Sequence, residues 1–257
     1  MKLIIKVGTS TLAYPSGRVN IRRFEALCRV ISDIANAGHR VILVSSGAIG
    51  MGVGKLRLPE RPKDIAGKQA AAAVGQCELM YLYDKQFSQY NHTVAQLLLT
   101  APDLDCADRL EKFKATLERL TDYGTIPIIN ENDTVATEEI EFGDNDTLAA
   151  RVAVAAEGEL LVLLSDIDGL YDKNPRKHAD ARLISEVREL TDEIMSLGEG
   201  AGSSLGTGGM ATKLKAVRLA TSAGCDMIIA DGAEPEILYK IVSGESVGTR
   251  FYSEKKK

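Results

Sequence analysis

The chain has 257 residues, enough for one large α/β domain or two closely joined lobes around a substantial core. Charged residues make up 26% of it and the hydrophobic set 45%, a balance that excludes a disordered chain. With 31 basic against 36 acidic residues, the net charge of −5 argues against nonspecific binding to nucleic acid or to an anionic membrane surface.

The first apolar run, 3–7, reads as a strand and is too short for a signal peptide or a membrane span. A lysine inside Leu3-Ile4-Ile5-Lys6-Val7 either snorkels out from a strand edge or meets an anion. Gly8-Thr9-Ser10 follows, then a helical pattern over 21–37 and a strand over 41–44 that ends at Ser45-Ser46-Gly47. Gly8 and Gly47 each serve either a tight turn or a close approach of backbone to phosphate oxygens. The stretch Gly50-Met51-Gly52-Val53-Gly54-Lys55-Leu56 resembles a P-loop only superficially. Ile49 takes the place of its first glycine and Leu56 that of the magnesium-binding hydroxyl, and G-x-G-x-x-G after a strand is not matched either.

A helix over 64–90 contains small residues at 70–75 that suit close packing, against the chain's own core or a second subunit. A strand over 93–99, a helix over 108–122 and a strand over 125–129 come next, the last running into Asn130-Glu131-Asn132-Asp133. The polar stretch 131–143 reads as a hairpin or flap, with Glu138, Glu139 and Glu141 a solvated acidic edge rather than metal ligands. Gly143-Asp144-Asn145-Asp146-Thr147-Leu148 reads as a helix start, capped by Asp144 or Asn145 and continuing over 146–156. Capping alone accounts for part of it, and an ionised Asp146 near two lysines would hold their ammonium groups in place.

The strand over 160–164 ends in Ser165-Asp166, and 172–182 reads as a second hairpin or flap. In Gly206-Thr207-Gly208-Gly209-Met210-Ala211-Thr212-Lys213, glycines and hydroxyls run into a helix over 210–223. This is either an ordinary loop and helix start or an anion cradle, with Lys213 supplying the full charge. A strand over 227–230 closes the series, and the lysines at 255–257 read as a solvated terminus.

Apolar strands alternating with helices predict a mainly parallel sheet covered on both faces. A soft boundary near Gly158 would divide it into lobes of 1–157 and 158–257 sharing one continuous sheet. Ligands bind beyond the carboxyl ends of such strands, where one crevice would gather the polar strand ends. Cys28, Cys77, Cys106 and Cys225 are scattered without metal spacing, which predicts reduced, mostly buried thiols and a cytoplasmic protein. His39, His92 and His178 show no metal or triad spacing.

In this order the motifs resemble the amino acid kinase family over essentially the entire chain: Lys6-Val7-Gly8-Thr9-Ser10, Ser45-Ser46-Gly47-Ala48-Ile49, Ile129-Asn130-Glu131-Asn132-Asp133, Gly143-Asp144-Asn145-Asp146, Ser165-Asp166 with Gly169-Leu170-Tyr171, and Leu205-Gly206-Thr207-Gly208-Gly209-Met210. The resemblance implies a three-layer αβα sandwich around a central, mainly parallel sheet. It is strongest to the branch that uses ATP to phosphorylate the γ-carboxylate of L-glutamate at the start of proline synthesis. By resemblance, Lys6 and Lys213 neutralise the migrating phosphoryl group, Asp146 orients both, and Ser46, Asp133 and Asn145 hold glutamate. Lys6, Gly8, Ser165, Asp166, Thr207, Gly208, Gly209, Met210, Ala211, Thr212 and Lys213 would contact ATP, with Mg2+ bound through its phosphates rather than by the protein. A homo-oligomer and feedback inhibition by proline are also implied. Many members of that branch carry a further PUA domain, whereas this chain, closing on Phe251-Tyr252-Ser253-Glu254 and a lysine run, reads as the kinase domain alone. Other members act on aspartate, acetylglutamate, carbamate or UMP, and a nonenzymatic nucleotide-binding protein could keep the same fold.

Overall fold

Leucine, isoleucine and valine fill the central strands almost without interruption, so both faces of the sheet demand cover. The computed structural model describes residues 1–14, 16–136, 145–175, 177–198 and 209–254. In chain order its elements are β1 (Lys2–Val7), α1 (Thr9–Leu12), α2 (Ile21–Asn36), β2 (Arg40–Ser45), α3 (Ala48–Leu56), α4 (Ile65–Ser88), β3 (Val94–Leu99), α5 (Ala101–Asp105), α6 (Ala107–Asp122) and β4 (Ile126–Glu131). There follow α7 (Asn145–Ala155), β5 (Leu160–Ser165), β6 (Leu170–Tyr171), β7 (Leu183–Ile184), β8 (Glu186–Val187), α8 (Asp192–Ser196), α9 (Met210–Ser222), β9 (Asp226–Asp231), α10 (Ile237–Val242) and β10 (Thr249–Phe251).

Among the described residues the main sheet has the order β3-β4-β2-β1-β5-β9-β10-β8. Neighbours from β3 through β9 pair in parallel, while β10 runs antiparallel to β9 and carries β8 alongside it. The expected αβα architecture with a mainly parallel sheet is therefore present. Because β1 pairs with β2 on one side and β5 on the other, the hydrogen bonding runs unbroken past the expected lobe boundary.

Alternation along each strand sorts side chains into two cores. Leu3, Ile5 and Val7 pack with residues of α2, α4 and α10, including Phe24, Leu27, Tyr83, Phe87 and Leu238. Ile4, with Leu161 and Leu163 of β5, packs with residues of α7 and α9, including Leu148, Ala149, Leu214 and Val217. Lys6 shares the parity of Ile4, so its side chain leaves the sheet toward the α7 and α9 layer. A buried lysine there must find a partner.

The expected strands and helices all form, and several helices were not foreseen: the short α1, α5, α8 and α10, and the longer α3. The glycine-rich stretch dismissed as a P-loop is α3, whose three glycines each lower helix propensity. Close packing supplies the compensation. A Cβ on Gly52 would collide with the carbonyl of Ala71 in α4, and one on Gly75 with that of Ala48. Of the small residues at 70–75, Ala71, Ala72 and Gly75 thus pack against the chain's own core, while Ala70 and Ala73 are exposed.

Other expectations need correction. Asn130 and Glu131 belong to β4, paired opposite Leu98 and Leu99, rather than to a loop or hairpin beyond it. Residues 137–143 of that polar stretch, with Glu138, Glu139 and Glu141, and the adjoining Asp144 lie outside the described residues. The second polar segment does form a hairpin between β6 and β7, tied by Asp172 N–H to Arg182 O at 3.0 Å and by Arg182 N–H to the Asp172 carboxylate at 2.8 Å. Cys28 and Cys225 are buried, but Cys77 and Cys106 are exposed, so the thiols are not mostly buried. Among the described residues no helix is long and apolar enough to cross a membrane.

Candidate active site

Parallel register brings the strand ends level. Val7 lies opposite both Ser45 and Leu164, and Ser165 lies opposite Asp231. The chain steps from β1 to β2 in one direction and later crosses to β5 on the other side of β1. Such a reversal opens a crevice at the carboxyl ends of the strands, the usual ligand position in open α/β sheets.

Three charges meet there. Lys6 Nζ lies 2.6 Å from Asp146 Oδ1, and Lys213 Nζ donates to Asp146 Oδ2 at 2.9 Å. All three residues are withdrawn from water, with exposures of 9% for Lys6, 2% for Asp146 and 5% for Lys213. Burial by itself would push the Asp146 carboxyl upward, yet the two lysines outweigh it and hold the group below the usual carboxylate range. Asp146 occupies the first turn of α7, where the helix dipole favours negative charge. Lys213 occupies the first turn of α9, which the same dipole disfavours, so its placement relies on the carboxylate. Within the trio two ammonium groups face one carboxylate, an arrangement suited to receiving a further anion.

The two strand-end glycines do different things. Gly47 has φ +105° and caps α3 in a left-handed conformation that favours glycine. Gly8 has φ −80° and extended backbone that any residue adopts. A Cβ on Gly8 would lie 3.7 Å from Lys6 Nζ, an ordinary contact distance, so it would occupy space beside the ammonium without displacing it.

On the β2 and β4 side, Asn145 opens α7 and reaches back to the strand ends. Its Nδ2 donates to Ser46 Oγ at 2.9 Å, to Ser45 O at 3.1 Å and to Asn130 Oδ1 at 2.9 Å. Consecutive residues at one helix start therefore face two halves of the crevice, Asn145 toward Ser46 and Asp146 toward the lysines. Asp133 sits half-buried in the turn after β4, and burial pushes its carboxyl up to about 6 against the opposing pull of Arg61. The described residues show no direct hydrogen bond from Asp133 to Ser46 or Asn145.

On the β5 side, Ser165 is buried and donates to Asp166 Oδ1 at 3.2 Å, while Asp166 is exposed. Gly209 precedes α9 in extended conformation, and Thr212 Oγ1 donates to its carbonyl at 2.7 Å. Met210 is buried and Ala211 exposed. Thr207 and Gly208, expected to contact ATP, lie outside the described residues.

The sequence profile of the amino acid kinase family matches residues 1–231. The chain belongs to that family. Among relatives, it is 52% identical to the glutamate 5-kinase of Clostridium perfringens (strain 13 / Type A) over 258 aligned positions, covering 99% of this chain and 96% of the relative. It is also 52% identical to the glutamate 5-kinase of Carboxydothermus hydrogenoformans, covering 100% of this chain and 69% of that longer protein. Among solved structures of the same fold, UMP kinase from Bacillus anthracis superposes with a TM-score of 0.66 at 15% identity, covering 98% of this chain and 96% of that one. An isopentenyl phosphate kinase gives a TM-score of 0.66 at 19% identity, covering 98% and 100% respectively.

Sequence reasoning missed one participant in this amino acid kinase crevice. Gln76, on α4, accepts a hydrogen bond at Oε1 from Asn130 Nδ2 at 2.8 Å. A signal was available: Gln76 interrupts the buried stripe of Ala72, Leu79 and Tyr83 at helical spacing, where a polar residue needs a partner.

Proposed function

We propose that the chain transfers the γ-phosphoryl group of ATP to the γ-carboxylate of L-glutamate, forming L-glutamyl 5-phosphate and ADP, the first step of proline synthesis. The observation that carries this reading is the 52% identity to a glutamate 5-kinase over 99% of this chain and 96% of that enzyme.

The chemistry suits the residues. A γ-carboxylate with a reference pKa of about 4.3 is already ionised at neutral pH, so no general base is required. One carboxylate oxygen attacks the γ-phosphorus, the bond to the β-phosphate oxygen breaks, and its electrons leave on ADP. The difficulty is bringing two anions together, which positioning and fixed positive charge overcome. In this proposal Lys6 and Lys213 neutralise the migrating group and Asp146 holds both ammonium groups on target.

Ser46, Asn145 and Asp133 hold glutamate in this reading. The raised Asp133 carboxyl sits in a partly dry turn where an incoming ammonium would favour its ionised form. Gly8, Ser165, Asp166 and residues 207–213 take ATP, with α9 presenting its amino-terminal N–H groups. Mg2+ fits as an ion carried by the nucleotide phosphates, because both Asp146 oxygens already face ammonium groups. The bound ion would spread the phosphate charge.

Residues 1–157 then act as the acceptor lobe and 158–257 as the nucleotide lobe. A cytoplasmic homo-oligomer inhibited by proline completes the proposal. Trapping with hydroxylamine tests the core of it: L-glutamate, ATP and Mg2+ should give the γ-hydroxamate and stoichiometric ADP. Faster ADP release with aspartate, acetylglutamate, carbamate or UMP would replace glutamate as the acceptor.

A further inference from the structure

We propose that Gln76 is a positioning residue for the acceptor amino acid, acting through Asn130 to hold the side-chain amide of Asn145 in place beside the substrate. The inference rests on the proposed role of Asn145 in holding glutamate. Its starting point is an imbalance: Gln76 is 9% exposed, and its Nε2 has no hydrogen-bond partner among the described residues. A buried amide with an unsatisfied donor is less stable than an apolar side chain of similar shape. What the glutamine supplies is its carbonyl oxygen, bonded to Asn130 Nδ2 at 2.8 Å.

The amide orientations follow from two backbone groups that cannot be reversed, the N–H of Glu131 and the carbonyl of Ser45. The backbone N–H of Glu131 can only donate, and it donates to Asn130 Oδ1 at 2.9 Å. Asn130 therefore turns its NH2 toward Gln76, and Gln76 must answer with oxygen. The same Asn130 Oδ1 accepts from Asn145 Nδ2 at 2.9 Å, so Asn145 turns its NH2 inward to Asn130, Ser46 Oγ and Ser45 O. Asn145 is thus left to offer Oδ1, an acceptor, to the crevice. Ser46, having accepted at Oγ, keeps its own proton to donate. One acceptor and one donor at this spot match the ammonium and carboxylate of a free amino acid. If Asn130 swings away, Ser45 O still fixes the polarity of Asn145, but its amide loses one of the three anchors that hold it in place.

Two substitutions separate positioning from simple support. Gln76→Leu removes the acceptor and should raise KM for L-glutamate roughly tenfold, the effect of one lost hydrogen bond in a buried network, with KM for ATP unchanged within about twofold. Gln76→Glu retains an acceptor oxygen and should recover most of that loss, although a buried acid lowers its melting temperature below that of Gln76→Leu. KM and stability then rank the variants in opposite order. The proposal is overturned if Gln76→Leu leaves KM for glutamate unchanged, if Gln76→Glu raises it equally, or if both KM values follow the melting temperature. Hydroxamate formation by the unsubstituted enzyme separately decides the acceptor. Should glutamate prove not to be it, the side-chain amide NMR signals of Asn145 decide the role of Gln76: shifted in Gln76→Leu and restored in Gln76→Glu, or unmoved in both and the role refuted.

Discussion

Lys6 and Asp133 show how single residues declare themselves. A lysine within an apolar strand was legible as a misfit, and strand parity then directs it to the layer where Asp146 sits in the first turn of α7. The partner could not be read, because Asp146 and Lys213 are 67 residues apart and meet only through the packing of α7 on α9. Lys213→Ala should lower turnover by about 10² to 10³ while the protein still melts cooperatively, as expected for loss of a charge aimed at the transferring group; near-normal turnover would remove Lys213 from catalysis. Gly8→Ala should fold normally, since its φ of −80° suits any residue, yet crowd the space beside Lys6 Nζ. A rise in KM for ATP is expected, and an unchanged KM would show that no phosphate uses that space. Asp133 carries the pH dependence. Its folded-state value of about 6 lies above the ordinary carboxyl value, so the folded protein holds the proton more tightly than the unfolded chain. The resulting stability is present below the ordinary value and is lost as pH rises through about 6. Asp133→Asn should therefore melt higher than the natural protein at pH 8 and equally near pH 4. In the proposed site glutamate binding has the opposite sense, because an ionised Asp133 would meet the ammonium: KM should rise as pH falls from 7 to 5, and Asp133→Asn should flatten that profile.

At the scale of elements, β-branched and leucine-rich strands and the amphipathic α2 were legible because period and burial agree. Phe24, Leu27, Ile31 and Ile34 recur on one face of α2, and Asn20 caps it by accepting from Arg23 N–H at 3.2 Å. The helix α3 was not legible, because its stability comes from packing on the later helix α4 rather than from propensity. Gly52 and Gly75 let α3 and α4 approach until backbone meets backbone, so Gly75→Val should destabilise the fold by several kcal/mol through overpacking. Denaturant melts test this, and an unchanged midpoint would mean that the two helices separate without loss. The antiparallel β10 was also missed, since its three residues carry no periodic signal.

For the molecule as a whole, alternation of strands and helices made the parallel sheet legible, but not its order. Only the order places β1 between β2 and β5, and hence the crevice over the ends of those strands. The acceptor and nucleotide sides proposed for that crevice make one claim in common: an oxygen of the glutamate γ-carboxylate becomes bonded to the transferred phosphorus. The most direct test uses L-glutamate carrying ¹⁸O in both γ-carboxylate oxygens, with ATP, Mg2+ and hydroxylamine. Hydroxylamine displaces phosphate from the acyl carbon, so the account predicts inorganic phosphate bearing one ¹⁸O atom for each hydroxamate formed. Unlabelled phosphate would mean that the phosphoryl group had passed to water, and would contradict it.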